Sequence, residues 1–168
     1  METAEIGIRA ALTGHLVFST LHTNDAPSAI ARLVDMGAED YLIASSVLGV
    51  LAQRLVRVIC PHCKEPQEMD LRYLRDIGLL TEDWEGQIYE GRGCKECSNT
   101  GFRGRLGIYE LMLMDDEVRR LTITNSDAGQ LRKTAIRNGM VTLRQDGFGK
   151  VRAGLSTISE VMRVTQEA

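Results

Sequence analysis

The chain has 168 residues, a formal net charge of −3 at pH 7 and a hydrophobic content of 43%, which is enough for a buried core. The acidic balance argues against nucleic-acid binding, which depends on clustered lysine and arginine. No apolar run approaches eighteen residues and no secretory signal opens the chain, so we expect a cytoplasmic protein with reduced cysteines.

The first third of the chain alternates between helical and strand-like patterns, which is typical of an α/β protein. The predicted elements are a helix over residues 3–13 capped by Thr3, a buried central strand over His15–His22, a helix that Asn24 or Asp25 caps and Gly37 ends, a helix over Tyr41–Ala52, and a strand over Leu55–Ile59.

The rest of the chain turns from short mixed elements to helices. The predicted elements are a helix over Asp70–Ile77, a short strand over Gln87–Glu90, a turn over Gly91–Gly93, a basic glycine loop over Gly101–Arg105, a strand over Leu106–Met114, a helix after Asp115, a helix from a Ser126 cap to Gly139, a helix burying Leu143, Phe148 and Val151, and a final helix opened by a capping box, Thr157 to Glu160.

The four cysteines of the chain form two C-x-x-C pairs, Cys60 with Cys63 and Cys94 with Cys97. Two such pairs can present four thiolates to one ion, which predicts a structural zinc site, because a full set of thiolates leaves no position for water. The alternative is a set of redox-active dithiols or incidental buried cysteines, which the evenly matched pairs disfavour. His62 lies inside the first pair but is redundant once four thiolates are present.

Two histidines bracket the predicted first strand. Ligands of open α/β sheets bind outside the carboxyl ends of strands, where His22 lies, whereas His15 lies at the opposite end, roughly 23 Å away at about 3.3 Å per residue. His22 is therefore the candidate ligand contact, and His15 is the candidate turn residue. In the glycine loop, Arg103 and Arg105 suit an oxyanion or acidic partner, although a solvated hairpin turn explains them more simply.

The sequence lacks the phosphate-binding motif G-x-x-x-x-G-K-[ST], and it lacks a recognisable Ser/His/Asp or Cys/His catalytic set. By itself the chain therefore presents no evident active site.

Four stretches together resemble the ATPases that drive type II secretion and type IV pilus assembly. They are ALTGHLVFSTLHTN at residues 11–24, LAQRL at residues 51–55 before the first cysteine pair, GFRGRLGIYEL at residues 101–111, and EVMRVTQE at residues 160–167. The first is similar to the histidine box of that family. The four cysteines favour a secretion or pilus-assembly type over a retraction type.

The resemblance implies a partial RecA-like nucleotide-binding domain at residues 1–59, an inserted tetracysteine zinc subdomain at 60–97, and a strand return with a C-terminal helical portion at 98–168. It implies that His22 senses the γ-phosphate of ATP, that His15 belongs to the same box in a more structural role, and that Cys60, Cys63, Cys94 and Cys97 bind zinc. The parent protein is expected to be a hexamer that hydrolyses ATP with magnesium at the inner-membrane platform of the secretion machine.

In this family the phosphate-binding loop and the Walker B strand precede the histidine box, and residues 2–5 resemble the segment after Walker B. We therefore expect the C-terminal part of a longer ATPase, inactive alone, with residues 16–21 exposed as an unpaired edge. The alternative is a non-enzymatic zinc adaptor that binds other proteins.

Overall fold

The computed structural model describes residues 2–80, 84, 86–125 and 127–166. Its α-helices are α1 Glu2–Leu12, α2 Ala26–Asp35, α3 Asp40–Ser46, α4 Leu71–Asp76, α5 Asp116–Thr124, α6 Ala128–Arg137, α7 Leu143–Arg152 and α8 Ile158–Thr165. Its strands are β1 Gly49–Ile59, β2 Lys64–Gln67, β3 Ile88–Gly91 and β4 Phe102–Leu113. Within the described ranges, no helix has both the length and the apolar character that a membrane span requires.

The chain divides into two compact units. The first comprises Met1–Ala52 and Glu110–Thr142, and the second comprises Gln53–Tyr109 and Leu143–Ala168. Both long strands cross this division, β1 after Ala52 and β4 after Tyr109. The first unit therefore holds the candidate histidines, and the second holds all four cysteines.

In the first unit, α2 packs against α3 and α6 because its apolar stripe faces them. Ala26, Ala29 and Ile30 are buried on that stripe. The helix begins where predicted, since the carboxylate of Asp25 accepts the amide of Ser28 at 2.8 Å. The prediction that Thr3 caps the first helix was wrong, because α1 already begins at Glu2.

The predicted central strand over His15–His22 is not formed, because no strand among the described residues pairs with this segment. A strand needs hydrogen-bonding neighbours, whatever its side-chain pattern. Leu16 is 70% exposed and Phe18 is 88% exposed, so the predicted burial of this segment was also wrong.

The predicted helix over Tyr41–Ala52 was wrong in its second half. The helix α3 ends at Ser46, Val47 is extended, and β1 already begins at Gly49. From there to Val56 odd residues are exposed and even residues are buried or half-buried, the two-residue period of a strand. Pairing with β4 stabilises this strand: the amide of Met114 donates to the carbonyl of Leu48 at 3.1 Å.

The C-terminal helices follow the predicted pattern with two differences. Ser126 lies outside the described residues, and the carboxylate of Asp127 caps α6 through the amide of Gln130 at 2.9 Å. Gly147 was predicted to weaken α7, and packing explains why a glycine occurs there. A Cβ at this position would lie 2.6 Å from Cγ1 of Val161 on α8. Gly147 therefore lets α7 and α8 approach closely.

Candidate metal centre

Two tight turns present the four cysteines in the second unit. Cys60 directly follows β1, and the amide of Cys63 donates back to the carbonyl of Cys60 at 3.3 Å. Cys94 and Cys97 flank one 3-10 turn, in which the amide of Cys97 donates to the carbonyl of Cys94 at 3.2 Å. Each C-x-x-C pair thus turns both of its thiols to one side, as the sequence spacing predicted.

The four sulfur atoms all lie within 4.8 Å of one another. Sγ of Cys60 is 3.9 Å from that of Cys94, Sγ of Cys63 is 3.9 Å from that of Cys97, and the Cys94 and Cys97 sulfurs are 3.7 Å apart. A tetrahedral ion bound at about 2.3 Å by four sulfurs requires sulfur–sulfur edges of about 3.8 Å. The cysteines therefore fit a four-thiolate metal site.

Backbone amides surround the sulfurs and favour thiolates. The amide of Gly93 donates to Sγ of Cys63 at 3.3 Å, and Sγ of Cys97 accepts the amides of Cys94 at 3.2 Å and Gly101 at 3.3 Å. Burial would raise the pKa of Cys97, but these two amides together with the thiols of Cys94 and Cys63 lower that pKa to about 6. Burial together with the neighbouring thiols raises the pKa of Cys63 to about 12.

Glycines allow the two turns to meet. A Cβ on Gly91 would lie 2.0 Å from the carbonyl oxygen of Gly101, and a Cβ on Gly93 would lie 2.9 Å from that of Asn99. Gly101 also has a φ of +76°, in the left-handed region that favours glycine. Its carbonyl accepts the amide of Cys60 at 2.9 Å, so this glycine contacts both cysteine pairs.

The sequence prediction missed one strand beside the centre. β2 pairs antiparallel with β3, from Lys64 opposite Gly91 to Gln67 opposite Ile88. The pattern of β2 is weak because its residues are polar and include Pro66, which suits an edge strand rather than a central one. The ammonium of Lys64 lies 4.1 Å above the ring of Tyr89 on β3, which adds a cation–π contact to the pairing.

Three basic residues near the cysteines have ordinary roles. His62 is exposed and does not belong to the cysteine cluster. Arg103 and Arg105 lie on the first part of β4 rather than in a separate loop, and Arg103 forms an exposed ion pair with Glu96 at 3.2 Å. This placement agrees with the simpler interpretation of Arg103, a solvated residue close to a turn.

The two candidate histidines are both exposed in the first unit. His15 is 3.1 Å from Oγ1 of Thr13 through its Nδ1, as befits a turn residue. His22 lies four residues before α2, and the start of that helix is held firmly. The amide of Ala26 donates to the fully buried carboxylate of Glu110 at 2.9 Å. Sequence reasoning missed Glu110 because it lies within an apolar strand.

An ion pair also holds the start of α2. Arg132 on α6 pairs with the Asp25 carboxylate. Burial alone would raise the pKa of Asp25, but the hydrogen bonds from Ser28 and the charge of Arg132 lower it below its usual value. The segment that contains His22 and ends at Asp25 therefore leads directly into the fixed N-terminus of α2.

The C-terminal helix carries a buried carboxylate that sequence reasoning interpreted differently. Thr157 caps α8 as predicted, with its hydroxyl accepting the amide of Glu160 at 3.3 Å. The carboxylate of Glu160 does not complete the predicted box and instead accepts the guanidinium of Arg57 at 2.6 Å and that of Arg163 at 2.9 Å. Burial would raise the pKa of Glu160, but these arginines lower it to about 2.

Comparison with known proteins identifies the family. The family model described as "Type II/IV secretion system protein" matches residues 1–163. The Type II secretion system protein E of Pseudomonas aeruginosa is 51% identical over 168 residues, covering 99% of this chain and 33% of that protein. The Type IV pilus assembly ATPase PilB of Thermus thermophilus is 47% identical over 167 residues, covering 99% of this chain and 19% of that protein. The chain thus spans a third or less of these relatives.

Solved structures support the fold. A crystal structure of the pilus retraction motor PilT with bound ADP superposes with a TM-score of 0.64 at 25% identity, covering 99% of this chain and 37% of that one. The ATPase DotB of Legionella pneumophila superposes with a TM-score of 0.63 at 18% identity, covering 97% of this chain and 35% of that one, and shows the fold alone. The chain is an α/β protein with a cysteine cluster and a helical C-terminal part, and it belongs to the type II/IV secretion system protein family.

Proposed function

We propose that this chain is part of a cytoplasmic traffic ATPase for type II secretion or type IV pilus assembly, and that its four cysteines hold one structural zinc ion. The observation that carries the proposal is the tetrahedral spacing of four sulfurs in a chain of this family. Relatives named as secretion proteins and as pilus assembly ATPases match it almost end to end.

Zinc is the metal that this donor set favours. Thiolates are soft ligands, and four cysteines at tetrahedral spacing form the usual ligand set of a structural zinc site. With Cys60, Cys63, Cys94 and Cys97 all bound, the ion has no open position for water or substrate. Its contribution is then the folding free energy of the unit that contains it.

The nucleotide chemistry is proposed to require residues beyond those of this sequence. The motif G-x-x-x-x-G-K-[ST] does not occur in it, so this chain alone is not proposed to bind ATP and magnesium. We assign His22 as the residue of this chain that approaches the γ-phosphate when the rest of the ATPase is present, since it is exposed and lies just before a fixed helix N-terminus. His15 belongs to the same box in a structural role.

The working assembly is proposed to be a hexamer at the cytoplasmic face of the inner membrane, in contact with the platform proteins of the secretion machine. The supporting observation is the similarity to secretion and pilus-assembly proteins. Nucleic acid is not among the proposed partners, because the net charge is −3.

Metal analysis tests the zinc site. The purified chain, kept reduced and never exposed to chelator, is expected to contain about one zinc ion per chain. Cys97→Ser is expected to lose most of the metal. Glu96→Gln is the matched control, because residue 96 lies between two cysteines without belonging to the cluster. Wild-type protein free of metal would refute the site.

Measurements of ATP hydrolysis test the proposed inactivity of the isolated chain and the different roles of His22 and His15. The isolated chain is expected to show no turnover above background, because it has no phosphate-binding loop. In the ATPase that contains this chain, His22→Ala is expected to lower kcat by about a hundredfold, the typical cost of one transition-state donor, whereas His15→Ala changes kcat by less than about threefold. Turnover by the isolated chain, or equal effects of the two substitutions, would contradict the assignment.

A further inference from the structure

The segment before α8 covers the edge of β1 that leads into the metal centre. The amide of Ile59 donates to the carbonyl of Leu155 at 2.9 Å, and the hydroxyl of Ser156 donates to the carbonyl of Arg57 at 2.8 Å. The amide of Arg57 donates to the Glu160 carboxylate at 3.1 Å. Alternate residues of a strand face one edge, so this segment and Glu160 in α8 together satisfy three consecutive polar groups on the edge directly before Cys60.

Glu160 places a negative charge among the groups that cover this edge of β1. Its side chain is only 2% exposed, and a carboxylate buried to this extent is costly unless it is paired. It binds Arg57 twice, through the amide and through the guanidinium. Any displacement of α8 from β1 would therefore leave Glu160 without its partners on the strand or return it to water.

Arg57 also contacts a residue that lies close to the second cysteine pair in sequence. Its guanidinium lies 4.1 Å above the ring of Phe102, the first residue of β4. The preceding residue, Gly101, donates its amide to Sγ of Cys97 and accepts the amide of Cys60. The Arg57 guanidinium therefore binds Glu160 through one contact and packs on Phe102 through another. Phe102 directly follows Gly101, whose backbone binds two of the proposed metal ligands.

We infer that Glu160 is a positioning residue for the metal centre, and that docking of α8 on β1 and metal loading stabilise each other. The inference rests on the proposed metal site. Arg57 lies three residues before Cys60, so an ion that fixes Cys60 and Cys97 also fixes the strand and the Phe102 surface on which Arg57 is arranged. The two equilibria are linked. If metal binding favours docking of α8 by a given factor, docking of α8 raises the metal affinity by the same factor.

Two measurements on the full 168-residue chain test this coupling. Hydrogen exchange of the α8 amides, compared between zinc-loaded and chelator-stripped protein, is expected to be about tenfold faster without zinc, while exchange in α6 changes little. Glu160→Gln is expected to weaken zinc binding about tenfold in competition with a chromogenic chelator, and to make α8 exchange independent of zinc.

Matched variants separate coupling from general loss of stability. Glu117→Gln removes an exposed ion pair with Arg137 in the other unit and is expected to leave both zinc affinity and α8 exchange unchanged. Ser156→Ala removes one bond to the same strand edge and is expected to weaken zinc binding about threefold, so it decides the question if Glu160→Gln does not fold.

The outcomes distinguish the two proposals. If wild-type chain binds no zinc, the metal site itself is wrong. If it binds zinc and α8 exchange does not respond, or if neither Glu160→Gln nor Ser156→Ala alters zinc affinity, the metal site stands and the coupling is refuted.

Discussion

At the scale of single residues, the centre depends on glycines as much as on cysteines. The cysteine spacing predicts the ligands, but it does not show that Gly91 and Gly101 must bring their backbones together. Gly101 combines a positive φ with hydrogen bonds toward both cysteine pairs. Substitutions at this position therefore act on the metal centre without touching a ligand.

Two alanine substitutions separate backbone conformation from packing. Gly101 and Gly104 both have positive φ, +76° and +86°. A Cβ on Gly104 meets nothing within 4 Å, whereas a Cβ on Gly101 would lie 2.3 Å from the Gly91 oxygen. We expect Gly104→Ala to cost about 1–2 kcal/mol from the left-handed conformation alone.

Gly101→Ala is expected to cost about 2 kcal/mol more than Gly104→Ala and to lower zinc content as well, because the clash displaces backbone that binds two cysteines. Chemical denaturation of the two zinc-loaded variants and metal analysis of each provide the comparison. Equal destabilisation with full zinc in both would show that the close approach of Gly91 and Gly101 is not needed.

At the scale of elements, sequence periodicity predicted the amphipathic helices well because their apolar faces pack within one unit. Sequence periodicity failed where hydrogen bonding between strands decides the structure. The run over residues 49–52 has small and apolar residues that fit a helix, yet pairing with β4 makes it part of β1. The run from His15 to His22 has the composition of a strand, yet no strand among the described residues pairs with it. Hydrogen-bonding neighbours are nonlocal, so local patterns do not reveal them.

The same reasoning explains which parts of the candidate site were predictable. Four cysteines at fixed spacing carry their own signal, and the sulfur geometry agrees with it. The burial of Glu110 and Glu160 carries no such signal, since it depends on their distant partners, Ala26 and Arg57. The capping signal at Thr157 was correct for the threonine but gave its glutamate the wrong partner.

The exposed segment over residues 16–21 should promote self-association of the isolated chain. Phe18 is 88% exposed and lies in a segment that forms no β-ladder within the described residues. Phe18→Ser is expected to reduce light scattering at high concentration while leaving the thermal midpoint within about 1 °C, because little buried area is lost.

Leu71→Ser is the matched control, since Leu71 is 57% exposed but lies on α4, where backbone groups bond within the helix. It is expected to change scattering much less. Equal reduction by both substitutions would assign the association to general surface hydrophobicity rather than to the segment.

At the scale of the whole molecule, the chain separates two tasks. One unit presents the segment of His15 and His22 beside a fixed helix terminus, and the other contains the cysteine cluster together with α7 and α8. In the proposed function, the first unit contacts nucleotide and the second folds around its metal ion. The coupling to α8 and the effect of Gly101 on zinc content both depend on the four-thiolate zinc ion.

X-ray absorption at the zinc edge of the purified, reduced chain measures the ligands of this ion. We expect about four sulfur neighbours at about 2.3 Å and no nitrogen or oxygen bound to the zinc. A chain without zinc would contradict it. So would a shell containing nitrogen or oxygen at about 2.0–2.1 Å, which would mean that a histidine such as His62, or water, replaces one of the cysteines.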